Sequence, residues 1–183
     1  NEIAQSEGVT GRPLAHTWIH NGFVNINAEK MSKSLGNVRT IRAVLEKWSP
    51  EAVRFFLLST HYRSPLDFSD EALDQAEENL LRFYETLRRM KSLPEGPDPI
   101  PNQHIMPSFE RQMDDDFNTS ACVGDLFDWI RRLNSWMDRK GAVESLSRER
   151  LLGDVAEIHR VLGLFGRDPE DHHRVLVALL RGQ

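Results

Sequence analysis

The segment SDEALDQAEENLLRFYETLRRMK, residues 69–91, decides the fold. Its apolar residues Leu73, Ala76, Leu80, Phe83, Leu87 and Met90 recur every three or four positions, so they share one face of a helix running from about Asp70 to Lys91. Ser69 stands ahead of it as a capping residue. A stripe of this length needs apolar partners. Downstream, Cys122, Leu126, Trp129, Ile130, Leu133, Trp136 and Met137 make a second stripe on a helix expected at about 119–139. Leu151, Val155, Ile158, Val161 and Leu162 make a third at about 147–164. Shorter helices are expected at about 108–113 and 169–180. An antiparallel helix bundle is the simplest arrangement that buries such stripes, which makes the fold mainly α.

Outward from this helix, Pro94, Pro97, Pro99, Pro101 and Pro107 mark a loop or hinge, because proline donates no backbone hydrogen bond and restricts its predecessor. On the other side, residues 60–69 lack helical periodicity and read as extended chain. Ser49-Pro50-Glu51 is a cap with proline at the first helical position, opening a helix to about Ser59. Thr40 caps a short helix with Ile41, Val44 and Leu45 on one face. From Thr17 to Asn27, Trp18, Ile19, Phe23, Val24 and Ile26 surround His20-Asn21-Gly22, a turn signal, and predict a short strand or hairpin. A loop is expected from Ala28 to Val38. Residues 2–7 read as the middle of a helix with no cap ahead of it, as though the chain were cut there.

The chain has 183 residues, 39% hydrophobic and 28% charged, which suits one large or two small cores. The longest apolar runs, 55–58 and 175–180, are far short of the roughly 20 residues of a membrane span, and the polar start has no signal-peptide pattern. Cys122 is the single cysteine, so an internal disulfide is excluded, which suits a reducing cytoplasm. A net charge of −5 argues against indiscriminate nucleic-acid binding. Local basic clusters at Arg88, Arg89 and Lys91, at Arg131 and Arg132, and at Arg139 and Lys140 are either patches for a phosphate backbone or ordinary solvated helix faces.

The densest chemistry lies in Lys30-Met31-Ser32-Lys33-Ser34, followed by Leu35-Gly36-Asn37. Two ammonium groups and two hydroxyls in five residues suit a polyphosphate: lysines counter its charge, while hydroxyls and backbone N–H groups donate to it. The plain alternative is a basic surface loop. The pentapeptide is the complete signature of class I aminoacyl-tRNA synthetases, and its flanks narrow the likeness. Residues 1–7 resemble the end of the cysteinyl-tRNA synthetase zinc motif, residues 18–24 its signature strand, and Met113-Asp114-Asp115-Asp116-Phe117-Asn118-Thr119 the opening of its second domain. These segments fall in family order, and the resemblance runs to about Gly166.

The resemblance implies a remnant of a class I Rossmann-like α/β catalytic domain with the signature loop at 1–37, a helical stem-contact connector at 38–68, and an anticodon-binding-like, tRNA-binding helical bundle at 69–183. It implies ATP, as its Mg2+ complex, bound at Lys30, Met31, Ser32, Lys33 and Ser34. Lys33 would stabilise the pyrophosphate leaving group while the cysteine carboxylate attacks the α-phosphate, with Lys30 assisting. L-cysteine and tRNA(Cys) would be the other substrates, His20 would lie near the cysteine pocket, and the protein would be cytoplasmic; the sequence leaves the oligomeric state open, with a monomer favoured for the full-length protein. Glu2 matches a glutamate that helps bind one zinc ion in the family. One carboxylate is no zinc site, since tetrahedral coordination takes three or four ligands, so Glu2 is expected here as a solvated helix residue.

Asp114, Asp115 and Asp116 suggest a magnesium site but fit a helix start better, with Asp116 and Asn118 serving free N–H groups and Phe117 packing inward. His172 and His173 beside Asp171 are a weak metal candidate. The nucleotide-binding half of the family's catalytic domain has no counterpart here, so the chain by itself is expected to charge no tRNA. Competing readings are a ligase joining cysteine to an amino sugar, and a helical RNA-binding module without catalysis. A small acceptor requires no long helical domain, which disfavours the former, and the latter leaves residues 1–34 unexplained.

Overall fold

Single side chains set four of the helix starts. Thr40, Ser49, Ser69 and Asn118 each accept a hydrogen bond from the backbone N–H three residues on, at Ala43, Ala52, Ala72 and Ala121. In the computed structural model, which describes residues 1–26, 29–30, 39–101 and 104–171, these caps open α2 (Ile41–Leu45), α3 (Pro50–Leu58), α4 (Asp70–Ser92) and α6 (Thr119–Met137). The remaining helices are α1 (Glu2–Thr10), α5 (Met106–Asp114) and α7 (Ser145–Leu162). Gly11 and Gly163 end α1 and α7 in the left-handed conformation that a C-terminal cap favours. Of the expected last helix, residues 169–171 are helical and the rest lies outside the described residues.

The stripes of α4 and α6 are buried at every expected position. That of α7 is narrower, because Val161 is exposed while Leu151, Val155, Ile158 and Leu162 are buried. On α2 only Val44 is buried; Ile41 and Leu45 face solvent, since so short a helix turns one side chain inward rather than a face. Phe83 of α4 stacks on Phe165 at 3.7 Å, and α3 packs against both α4 and α6. One continuous apolar core runs from Ile26 and Phe68 through Trp48, Phe55 and Phe56 into the stripes of α4, α6 and α7.

The proline-rich stretch is strapped down rather than free to hinge. Gly96 donates to the Val143 carbonyl at 3.0 Å, Val143 donates to the Pro94 carbonyl at 3.0 Å, and Lys140 reaches Asp98 at 2.8 Å. Ile100 and Ile105 are buried beneath it. The segment thus spans from α4 to α5 while closing the turn between α6 and α7.

A three-stranded sheet sits at one edge. Its central strand β1 (Val24–Ile26) pairs antiparallel with β2 (Glu29–Lys30) and parallel with β3 (Leu66–Phe68). The hairpin expected around His20-Asn21-Gly22 is therefore displaced: the strand begins at Val24, and its hairpin partner is Glu29–Lys30, a pair expected in a loop. Gly22 makes no tight turn. It donates to the Tyr62 carbonyl at 2.7 Å, and a Cβ on it would lie 2.2 Å from the Ser64 carbonyl oxygen, so glycine is required by close backbone approach.

Candidate functional site

The sheet presents the first residue of the signature pentapeptide. Lys30 closes β2, in register with Asn25 of β1, and Met31, Ser32, Lys33 and Ser34 follow outside the described residues. Ile26 and Phe68 are buried at the matching ends of β1 and β3, and Phe68 meets Phe56 of α3 edge-on at 5.7 Å. The strand leading to the phosphate-suited segment is thereby fixed to the helical core. Position 30 is thus held by a backbone ladder.

His20 lies four residues before β1, exposed, with no hydrogen bond or ion pair among the described residues. Glu2 lies in the first turn of α1, a helix that buries no residue, and contacts the amino group of Asn1 at 3.5 Å. Among the described residues no further donor joins Glu2 in a group that could hold a metal. This donor set does not fit zinc.

Asp116 departs from the expected helix-start role. Asn118 alone caps α6, while the Asp116 carboxylate turns back to residues 61–63. Arg63 donates to it from Nε at 2.5 Å and from Nη2 at 3.1 Å, and the Tyr62 hydroxyl donates at 2.6 Å. His61 stands 3.9 Å away and stacks on the Tyr62 ring. These donors, Arg63 first, hold the Asp116 carboxyl down at about 2. A carboxylate so engaged offers little to a magnesium ion. Phe117, expected inward, is exposed, because Asp116 and Phe117 both take positive φ, 56° and 53°, and the backbone turn rotates the ring outward.

The basic clusters divide. Arg89 pairs with Asp138 at 2.6 Å, Lys91 with Asp168 at 3.5 Å and Arg88 with Glu170 at 4.0 Å, so that cluster is internally neutralised. Arg131, Arg132 and Arg139 instead line a surface groove of about 500 Å³ with Trp129 and Trp136 in its wall. Arg131 is paired with Asp128, whereas the side chains of Arg132 and Arg139 are exposed and make no hydrogen bond or ion pair among the described residues. Two exposed guanidinium groups beside an apolar wall suit a phosphate backbone.

One polar network was not foreseen. Glu51 is buried at the start of α3, accepting from the Tyr84 hydroxyl at 2.9 Å and from the Phe165 N–H at 2.5 Å, with Arg167 at 3.5 Å. Burial pushes the Tyr84 hydroxyl pKa well above its ordinary value. The only sequence signal was an acidic residue in a first helical turn, which ordinarily reads as a partner of the helix dipole.

A family model described as the catalytic domain of class I (C) tRNA synthetases matches residues 1–78, and a DALR domain model matches residues 108–166. The cysteine–tRNA ligase of Trichlorobacter lovleyi is 49% identical over 93% of the chain and 38% of its own length. The same enzyme of Syntrophotalea carbinolica is 48% identical over 92% of the chain and 37% of its own length. That of Thermodesulfovibrio yellowstonii is 44% identical over 97% and 39%. The chain thus spans under two-fifths of the length of the curated relatives it matches.

Proposed function

This chain belongs to the class I tRNA synthetases of the cysteine type, and we propose that it supplies the signature-loop and helical portion of a cysteine–tRNA ligase. The ligase activates L-cysteine with ATP and transfers it to tRNA(Cys). The observation that carries this reading is Lys30 fixed at the end of β2, opening the Lys-Met-Ser-Lys-Ser segment, with the DALR helices following in the same chain. In the first step a cysteine carboxylate oxygen bonds to the α-phosphorus of ATP as the bond to the bridging oxygen breaks. Pyrophosphate then leaves with the negative charge. Lys33, with Lys30, neutralises that charge as it develops, which is why both act on the transition state more than on ground-state binding. In the second step a tRNA hydroxyl attacks the cysteinyl carbonyl and AMP departs.

Magnesium accompanies ATP as substrate. His20 serves the cysteine pocket, and residues 1–37, 38–68 and 69–183 act as catalytic segment, stem-contact connector and tRNA-binding bundle. The exposed Arg132 and Arg139 beside Trp129 and Trp136 support a tRNA-facing role for α6. The protein works as a monomer in the cytoplasm, and its complete form binds zinc with Glu2 among the ligands. Isolated residues 1–183 charge no tRNA. Cysteine-dependent exchange of pyrophosphate into ATP by the full polypeptide its gene encodes tests the loop. Lys33→Ala is expected to raise the barrier by about 2.7–4 kcal/mol, as loss of one transition-state charge contact does. Exchange unaffected by that change would remove the loop from the chemistry.

A further inference from the structure

We propose that Asp116 is a positioning residue for the strand that carries Lys30, tying the approach to α6 to the signature-loop sheet; this rests on the ATP-loop reading above. The linkage can be followed bond by bond. The turn at Asp116 and Phe117, with positive φ at both residues, aims the carboxylate at Arg63 and Tyr62. Tyr62 then accepts from the Gly22 N–H through its carbonyl at 2.7 Å, and Leu66 donates to the Phe23 carbonyl at 2.9 Å. From there β3 pairs with β1 and β1 with β2, ending at Asn25 opposite Lys30. Gly22 keeps the two chains this close, since a Cβ there would strike the Ser64 carbonyl.

Two features argue for orientation rather than stability. The Asp116 ion pair is exposed, and exposed pairs stabilise folds little, so the clamp is poorly explained as a fold-holding contact. Its geometry is nonetheless specific, because a two-point guanidinium contact plus a phenol hydroxyl fixes direction as well as distance. Asp116 lies within the DALR match and residues 61–63 within the catalytic-domain match, so the clamp spans the two units. Movement of the helical unit would reach Lys30 through backbone hydrogen bonds.

The test is a double-mutant cycle in the full polypeptide, read by cysteine-dependent ATP–pyrophosphate exchange. Asp116→Asn is expected to lower kcat about tenfold with KM for ATP changed less than about twofold, and to add less than about twofold in a Lys30→Ala background. Asp116→Glu should recover most of the loss, and Tyr62→Phe, which removes one donor, should show a smaller fall of the same kind. An unchanged kcat, or the same tenfold fall in both backgrounds, overturns the proposal. Absence of exchange in the unmodified protein overturns it together with the ATP-loop reading, and that outcome is told apart because it precedes any substitution.

Discussion

The first 26 residues and the helical body from α3 onward treat apolar side chains in opposite ways. α1 buries nothing, and Trp18, Ile19 and Phe23 are exposed, whereas every stripe residue of α4 and α6 is buried. The helical body contains its own partners, since amphipathic helices bury one another. The sheet region is held by backbone pairing and two inward anchors at Ile26 and Phe68. Side-chain burial therefore weighs far more on the helical body than on the sheet region.

The sharpest test of that division is a pair of apolar truncations. Phe83→Ala empties a buried position against Phe165 and is expected to cost about 3–5 kcal/mol in urea unfolding, while the exposed Ile19→Ala stays within about 0.5 kcal/mol. Equal losses would end the contrast. Next in size is Glu51→Ala, which removes the acceptor of the buried Phe165 N–H; about 1–3 kcal/mol is expected by the same measurement.

The two regions also differ in where they respond to pH. Tyr84 has a raised pKa in the folded protein, so its contribution is complete below about 10, the unfolded value, and is lost as pH rises through the folded one. Unfolding midpoints should fall in alkali, and Tyr84→Phe should weaken that fall. Asp116 is the reverse case. Its carboxyl is depressed from 3.8 to about 2, so the clamp persists above the unfolded value and is lost as pH drops through about 2. A carboxyl NMR titration should place Asp116 below its ordinary value of 3.8, and Arg63→Ala should return it toward that value.

The periodic and capping signals were legible because they are local. Leu73 to Met90 and Cys122 to Met137 announce their faces through spacing alone, and Thr40, Ser49, Ser69 and Asn118 act within three residues of themselves. What escaped prediction joins distant positions. β1 and β3 pair across about forty residues of sequence, and the strand propensity of so short a segment cannot name its partner. Asp116 was expected to serve the helix beside it, but Arg63 offers a two-point charged contact while Asn118 already fills the capping place. Phe117 follows its backbone: positive φ turns the ring out despite its apolar character. Of the candidate site residues, Lys30 was legible as a residue type and its strand was not.

The measurement that bears most directly on the whole reading is charging of tRNA with labelled cysteine by the full polypeptide, with Lys33→Ala in parallel. Cysteinyl-tRNA formation that Lys33→Ala lowers by about a hundredfold is the predicted result. Activation of cysteine with no transfer to tRNA would contradict it in favour of a small-molecule acceptor such as an amino sugar, and no activation of cysteine would contradict it altogether.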